Sequence, residues 1–142
     1  MKISARNVFG GTVTAVKPGA VTTEVDVTLP GGIVIVATVT RDSAIELGLI
    51  PGRPVKAIIK ASSVLVLTEG ADVRLSARNC LAGTITALTE GPVSTEVAIG
   101  LADGHTVYAT ITHEGSVALG LKLGAPATAV FKAPSVILGV ST

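Results

Sequence analysis

The tetrapeptide Ser-Ala-Arg-Asn occurs twice, as Ser4-Ala5-Arg6-Asn7 and as Ser76-Ala77-Arg78-Asn79. A second pair of boxes reads Lys60-Ala61-Ser62-Ser63 and Lys132-Ala133-Pro134-Ser135. Hydroxyls, a guanidinium, an ammonium and backbone amides all present hydrogens. Small neighbours such as Ala5 and Ala61 let those amides come close to a ligand. Such a set suits a compact oxyanion, because a dianion is costly to bury unless several donors surround it and charge-assisted bonds are the strong ones. A further donor set lies at the start of an expected short helix, at Ser43-Ala44 and its counterpart Gly115-Ser116, where free amides and the helix dipole favour negative charge. Taken singly, each residue has a plainer reading: Ser and Asn shape a bend, and Arg and Lys are solvated charges at strand ends. Their joint duplication is what favours the anion.

Other chemistry finds little support. The chain has no GxxxxGK[ST], HExxH, GxSxG or GxGxxG pattern, so no catalytic residues and no cofactor are expected. His105 and His113 align with Ile33 and Arg41 of the other repeat, so neither histidine is duplicated; both read as surface residues, and no metal cation site is expected. Glu24 and Glu96 are duplicated but fall on the polar side of an alternating strand, where a solvated face or a cross-strand pair explains them. Cys80 is the single cysteine. It rules out an intrachain disulfide and a CxxC site, and it reads as a small core or boundary residue.

The elements that must hold these boxes follow from the repeat. An offset of 72 runs without a gap from residue 3 to residue 68, and 28 of the 66 aligned positions are identical. Gly11-Thr12 meets Gly83-Thr84, Thr23-Glu24-Val25 meets Thr95-Glu96-Val97, and Leu47-Gly48-Leu49 meets Leu119-Gly120-Leu121. The chain is a tandem duplication, divided here into 1–69 and 70–142 with a polar join at 69–72. In each half the pattern predicts strands over 3–16, 21–29 and 33–40, a helix over 42–49 capped by Asp42 or Ser43 and ended by Gly48, and strands over 55–60 and 63–68. Val21, Val25, Val27 and Leu29 are expected on one face, and the last strand is expected to close its own half. Three strands, a short helix and two strands is the order of a five-stranded OB barrel. The expected fold is all-β, as two tandem OB-like barrels each with one helix between strands 3 and 4.

Of 142 residues, 48% are hydrophobic and 15% charged, with a net charge of +1. Halves of this size have marginal cores alone, so they are expected to pack on each other or on other chains, and a homo-oligomer is expected. The near-zero charge supplies no field to gather nucleic acid or an anionic membrane. Aromatics are 2% of the chain, too few for the stacking platforms of an OB nucleic-acid site. No stretch is long enough to span a membrane and no secretory leader is evident, so a soluble cytoplasmic protein is expected.

The boxes ISARN, GGTVTAV, VTTEV, DSAIELGL and KASSVLV together resemble the Mop module of the TOBE family, and two modules in one chain are similar to the di-Mop molbindins, cytoplasmic proteins that bind molybdate. The resemblance covers essentially the whole chain. It implies OB barrels in rings of six, hence a homotrimer, with molybdate and tungstate held between modules. On this chain it implies that Ser4, Ala5, Arg6 and Asn7 join Lys60, Ala61, Ser62 and Ser63, and that Ser76, Ala77, Arg78 and Asn79 join Lys132, Ala133 and Ser135. Ser43, Ala44, Gly115 and Ser116 are the candidates for further sites on a three-fold axis. Ser62 becoming Pro134 removes a hydroxyl and an amide, so the two halves are expected to bind unequally. The implied role is reversible binding in intracellular molybdenum storage and homeostasis. The alternative is a structural or partner-binding OB protein whose boxes only build a subunit interface.

Overall fold

The computed structural model describes residues 1–69 and 72–142; of the expected join, Gly70 and Ala71 lie outside the described residues. Among the described residues, ten strands fall in two five-stranded antiparallel sheets. The first compact unit comprises Met1–Ile59 with Lys132–Thr142, the second Lys60–Phe131.

In the first unit the strands are β1 (Asn7–Pro18), β2 (Thr22–Thr28), β3 (Val34–Thr40), β4 (Pro54–Ile59) and β10 (Ile137–Gly139), ordered β10-β4-β1-β2-β3. The edge strands β3 and β10 lie against each other, which closes the sheet and leaves few free backbone groups at an edge. The period-2 pattern sets which face is inside. Val25, Val27 and Leu29 on β2 and the turn after it, Ile35 and Ala37 on β3, and Val55, Ala57 and Ile59 on β4 are all buried. Val21 departs from the expectation: it sits ahead of β2 and is 78% exposed, while Thr23 is the buried residue at that end.

The second unit repeats the plan with β5 (Leu65–Leu67), β6 (Asn79–Glu90), β7 (Ser94–Leu101), β8 (Thr106–Thr112) and β9 (Pro126–Phe131), ordered β5-β9-β6-β7-β8. Here β5 lies against β8. Val97, Ile99, Leu101, Val107, Ala109 and Phe131 are among its buried apolar residues.

One expectation is corrected. The last strand of each repeat does not close its own half. Strand β5, from the first repeat, pairs with β9 (Leu65 opposite Val130), and β10, from the second, pairs with β4 (Ile137 opposite Ile58). The two closing strands, LVL and ILG, are both short and apolar. Either suits either edge, so a sequence pattern does not say which edge each one joins.

The first strand starts later than expected, at Asn7, and runs on through Lys17 and Pro18. Pro18 is tolerated because it is the strand's last residue. Register shifts between Val13 and Ala15 against β2, and between Ile85 and Ala87 against β7, mark a bulge in each long strand. The threonine at each bulge bonds back across the pair: Thr14 Oγ1 lies 2.8 Å from Thr28 Oγ1, and Thr86 Oγ1 donates to the Ala98 carbonyl at 3.4 Å. Just before each bulge, the repeated glycine has a packing reason. A Cβ on Gly11 would stand 2.8 Å from the Thr28 carbonyl oxygen, and one on Gly83 would strike the Gly100 carbonyl oxygen.

The helices are α1 (Arg41–Glu46) and α2 (His113–Leu119). Their caps are Thr40 and Thr112, in place of the expected Asp42 or Ser43. Each threonine has extended backbone, and its hydroxyl accepts from the amide three residues on, at 3.1 Å from Ser43 and 3.0 Å from Gly115. Gly48 and Gly120, at φ +62° and +61°, end them.

Candidate functional site

Each Ser-Ala-Arg-Asn box is the lead-in to a long central strand. In both copies the serine and arginine are exposed, the alanine is half-buried, and the asparagine, as the first strand residue, is 1% exposed. Asn7 stands opposite Ile59 at the end of β4, and Asn79 opposite Phe131 at the end of β9. A buried amide side chain needs partners, and neither asparagine nor either arginine, Arg6 or Arg78, is without an interaction. The asparagine thus anchors the box, while the serine and arginine face outward.

Each lysine box is a single 3-10 turn, Ala61–Ser63 or Ala133–Ser135, entered from an exposed lysine. Ser63 and Val64 donate their amides to the Lys60 and Ala61 carbonyls; Ser135 and Val136 do the same to Lys132 and Ala133. Ser62 and Pro134 are exposed, and Ser63 and Ser135 half-buried.

Strand pairing decides which boxes share a unit. In the first unit, β4 is flanked by β1, which carries Ser4–Asn7, and by β10, which follows the Lys132 turn; that turn packs on β3. In the second, β9 is flanked by β6, which carries Ser76–Asn79, and by β5, which follows the Lys60 turn; that turn packs on β8. The box of one repeat and the lysine turn of the other are therefore drawn to the same strand end. The pairing implied by the family resemblance, 4–7 with 60–63 and 76–79 with 132–135, joins segments of different units.

At the helix starts, the amides of Ser43 and Gly115 are already taken by the Thr40 and Thr112 hydroxyls. Ala44 and Ser116 are 7% and 3% exposed. Thr40 Oγ1 also donates to Ser43 Oγ at 2.8 Å. At each helix start one amide, that of Ser43 or Gly115, is therefore engaged by the cap.

Three side chains differ from expectation. Cys80 is exposed, and its thiol donates to the Ala77 carbonyl at 3.6 Å, so it is a surface residue curled onto the second box. Its side chain follows Asn79 on a strand whose alternation turns it outward. The histidines are half-buried. His105 Nδ1 sits 2.6 Å from Asp103 Oδ2 in the β7–β8 turn. The His105 amide, donating to Asp103 Oδ1 at 3.0 Å, holds that carboxyl below its ordinary range; burial pulls the other way and the His105 ring adds to the lowering. His113 has a buried Nδ1 without a hydrogen-bond partner, as does the Thr95 hydroxyl. Sequence gave no signal for either orphan. Among the described residues, no three of His, Cys, Asp and Glu come together as a cation site, and no helix is long and apolar enough to cross a membrane.

Comparison with known proteins fits this geometry. The TOBE domain family matches residues 3–66 and again residues 75–138. The chain is 46% identical over 140 residues to the molybdenum-pterin-binding protein MopA of Rhodobacter capsulatus, covering 99% of this chain and 53% of that protein. It is 44% identical over 140 residues to the molybdenum transport protein ModE of Herbaspirillum seropedicae, covering 99% and 52%. It spans about half the length of the curated relatives it matches. Among solved structures, the cytoplasmic molybdate-binding protein ModG, in a crystal form with molybdate bound, matches with a TM-score of 0.96 and 50% identity over 99% of this chain and 100% of that one. With both repeats matched and the two OB-like sheets in place, the chain belongs to the TOBE domain family, as a tandem pair of its modules.

Proposed function

We propose that the protein binds molybdate, and tungstate with it, reversibly and without covalent change, and serves molybdenum storage and homeostasis in the cytoplasm rather than catalysis. The observation that carries this reading is the full-length match to a molybdate-bound protein at 50% identity, in a chain whose duplication repeats most of one set of donors. Ser4, Arg6, Ser76 and Arg78 are exposed beside buried asparagine anchors. Lys60 and Lys132 bring ammonium groups to turns whose leading amides are not used internally. Serine hydroxyls and backbone amides donate to the oxyanion's oxygens, and lysine and arginine balance its charge. Molybdate and sulfate are both tetrahedral dianions, so the size of the closed site separates them.

The sites form between modules in a homotrimer, with Ser4–Asn7 meeting Lys60–Ser63 and Ser76–Asn79 meeting Lys132–Ser135. Support for an assembly comes from apolar exposure repeated at aligned positions. Val21 and Val93 are 78% and 81% exposed, and Ile45 and Val117 are 68% and 64% exposed. Leu65 and Ile137 follow the same pattern. Duplicated exposed apolar residues mark a surface that is covered by other copies.

Calorimetry of the purified chain with molybdate and, separately, sulfate tests the reading, with native mass read alongside. Tight, saturable heat for molybdate alone and a mass of three chains are expected; equal weak heats for both anions would refute it. The Lys60→Ala, Lys132→Ala double variant separates anion binding from a purely architectural role. It is expected to lose molybdate and keep its assembly.

A further inference from the structure

We infer that the chain carries two unequal classes of oxyanion site, and that a single position, Ser62 in one turn and Pro134 in the other, sets the difference, the class built on Pro134 being the weaker. This deepens the oxyanion reading above and depends on it.

The two lysine turns are the same backbone object. Lys60 enters at φ −63°, ψ 136° and Lys132 at φ −79°, ψ 145°. The internal bonds match: 2.9 Å from the Ser63 amide to the Lys60 carbonyl and 2.9 Å from Ser135 to Lys132, then 3.2 Å from Val64 to Ala61 and 3.2 Å from Val136 to Ala133. In such a turn the later amides are consumed and the leading ones have no acceptor inside it. The Lys60 turn leaves the Ala61 and Ser62 amides in that state. The Lys132 turn leaves only that of Ala133, since proline carries no amide hydrogen. Residue 62 also adds an exposed hydroxyl that residue 134 lacks.

The rest of the donor set is the same in both copies. Ser4 and Ser76, Arg6 and Arg78, Asn7 and Asn79, Lys60 and Lys132, and Ser63 and Ser135 match in residue type and in exposure class. Within these boxes the difference in donor type thus falls at one position. Ala133 is buried where Ala61 is half-buried, which moves access to the remaining amide in the same direction. Proline does stiffen the turn, which lowers the ordering cost of binding, but it adds no hydrogen for the anion. Each charge-assisted donor lost corresponds to about tenfold or more in affinity.

The test is calorimetry with sodium molybdate on the full chain, on Pro134→Ser and on Ser62→Pro. Circular dichroism and native mass confirm that each variant is folded and assembled. The wild type is expected to show two classes of site. Pro134→Ser should tighten the weaker class by about tenfold or more, and Ser62→Pro should weaken the tighter class. Serine already occupies this turn at position 62, so Pro134→Ser decides the matter even if Ser62→Pro fails to fold. Molybdate isotherms that are the same for wild type and Pro134→Ser, both binding, would overturn the inference and leave the oxyanion reading standing. A wild-type chain that takes up no molybdate would overturn both.

Discussion

At the scale of residues, the two copies of Ser-Ala-Arg-Asn divide their labour within four positions. Asn7 and Asn79 are buried and hold the lead-in to the central strands, whereas Ser4, Arg6, Ser76 and Arg78 remain at the surface. A buried side-chain amide needs partners, and truncating it leaves them unsatisfied, so Asn79→Ala is expected to cost about 1–3 kcal/mol in urea unfolding. Arg78→Ala is expected to stay within about 0.5 kcal/mol of wild type in stability while weakening molybdate uptake in dialysis. The sequence showed that the box recurs, and which groups it offers. It did not show which of the four turns inward, because that follows from where the strand begins relative to Ile59 and Phe131 across the ladder. A further prediction concerns Asp103, whose carboxyl is held below its ordinary value of 3.8 by the His105 amide and ring. The folded chain binds this proton less readily than the unfolded one. The stabilisation is therefore present above that value and lost as the pH falls through the lower, folded one. Acid unfolding of Asp103→Asn, followed by circular dichroism below pH 4, should show a shallower pH dependence than wild type.

At the scale of elements, the short helices were legible in type and place, and their caps were not. Thr40 and Thr112 end alternating strands, so by pattern they belong to the strand; their hydroxyls nevertheless take the Ser43 and Gly115 amides. Thr40→Ala should cost about 1 kcal/mol in chemical denaturation, and Thr40→Ser should recover most of it. The Gly-Thr pairs were legible as a repeat, and their reason lies in packing. Gly83 lets the β6 backbone pass close to Gly100 on β7 just before the bulge. Gly83→Ala is therefore expected to cost about 1–3 kcal/mol by crowding, read in the same unfolding assay, whereas Gly10→Ala, with open space around its Cβ, should change stability little.

At the scale of the whole molecule, the chain leaves one unit after Ile59, builds the other, and returns at Lys132. A chain ended at Phe131 therefore lacks β10 together with the buried Val136 and Leu138 of the first unit. Hydrogen exchange of that truncated chain should show lost protection at Ala57 and Ile58 on β4, while Val130 on β9, still paired with β5 and β6, keeps its own. Loss confined to the second unit would contradict this pairing. The duplication, the order of strands and helix in each repeat, and the identity of the duplicated donors are readable from the order of amino acids alone. Those properties depend on residue type and short-range periodicity. That LVL and ILG change places at the sheet edges, and so which Ser-Ala-Arg-Asn box shares a unit with which lysine turn, emerges from the folded chain. Two short apolar strands of equal length satisfy either edge by their own pattern; the choice between edges is made by the packing of the closed sheet, which no local run of residues encodes.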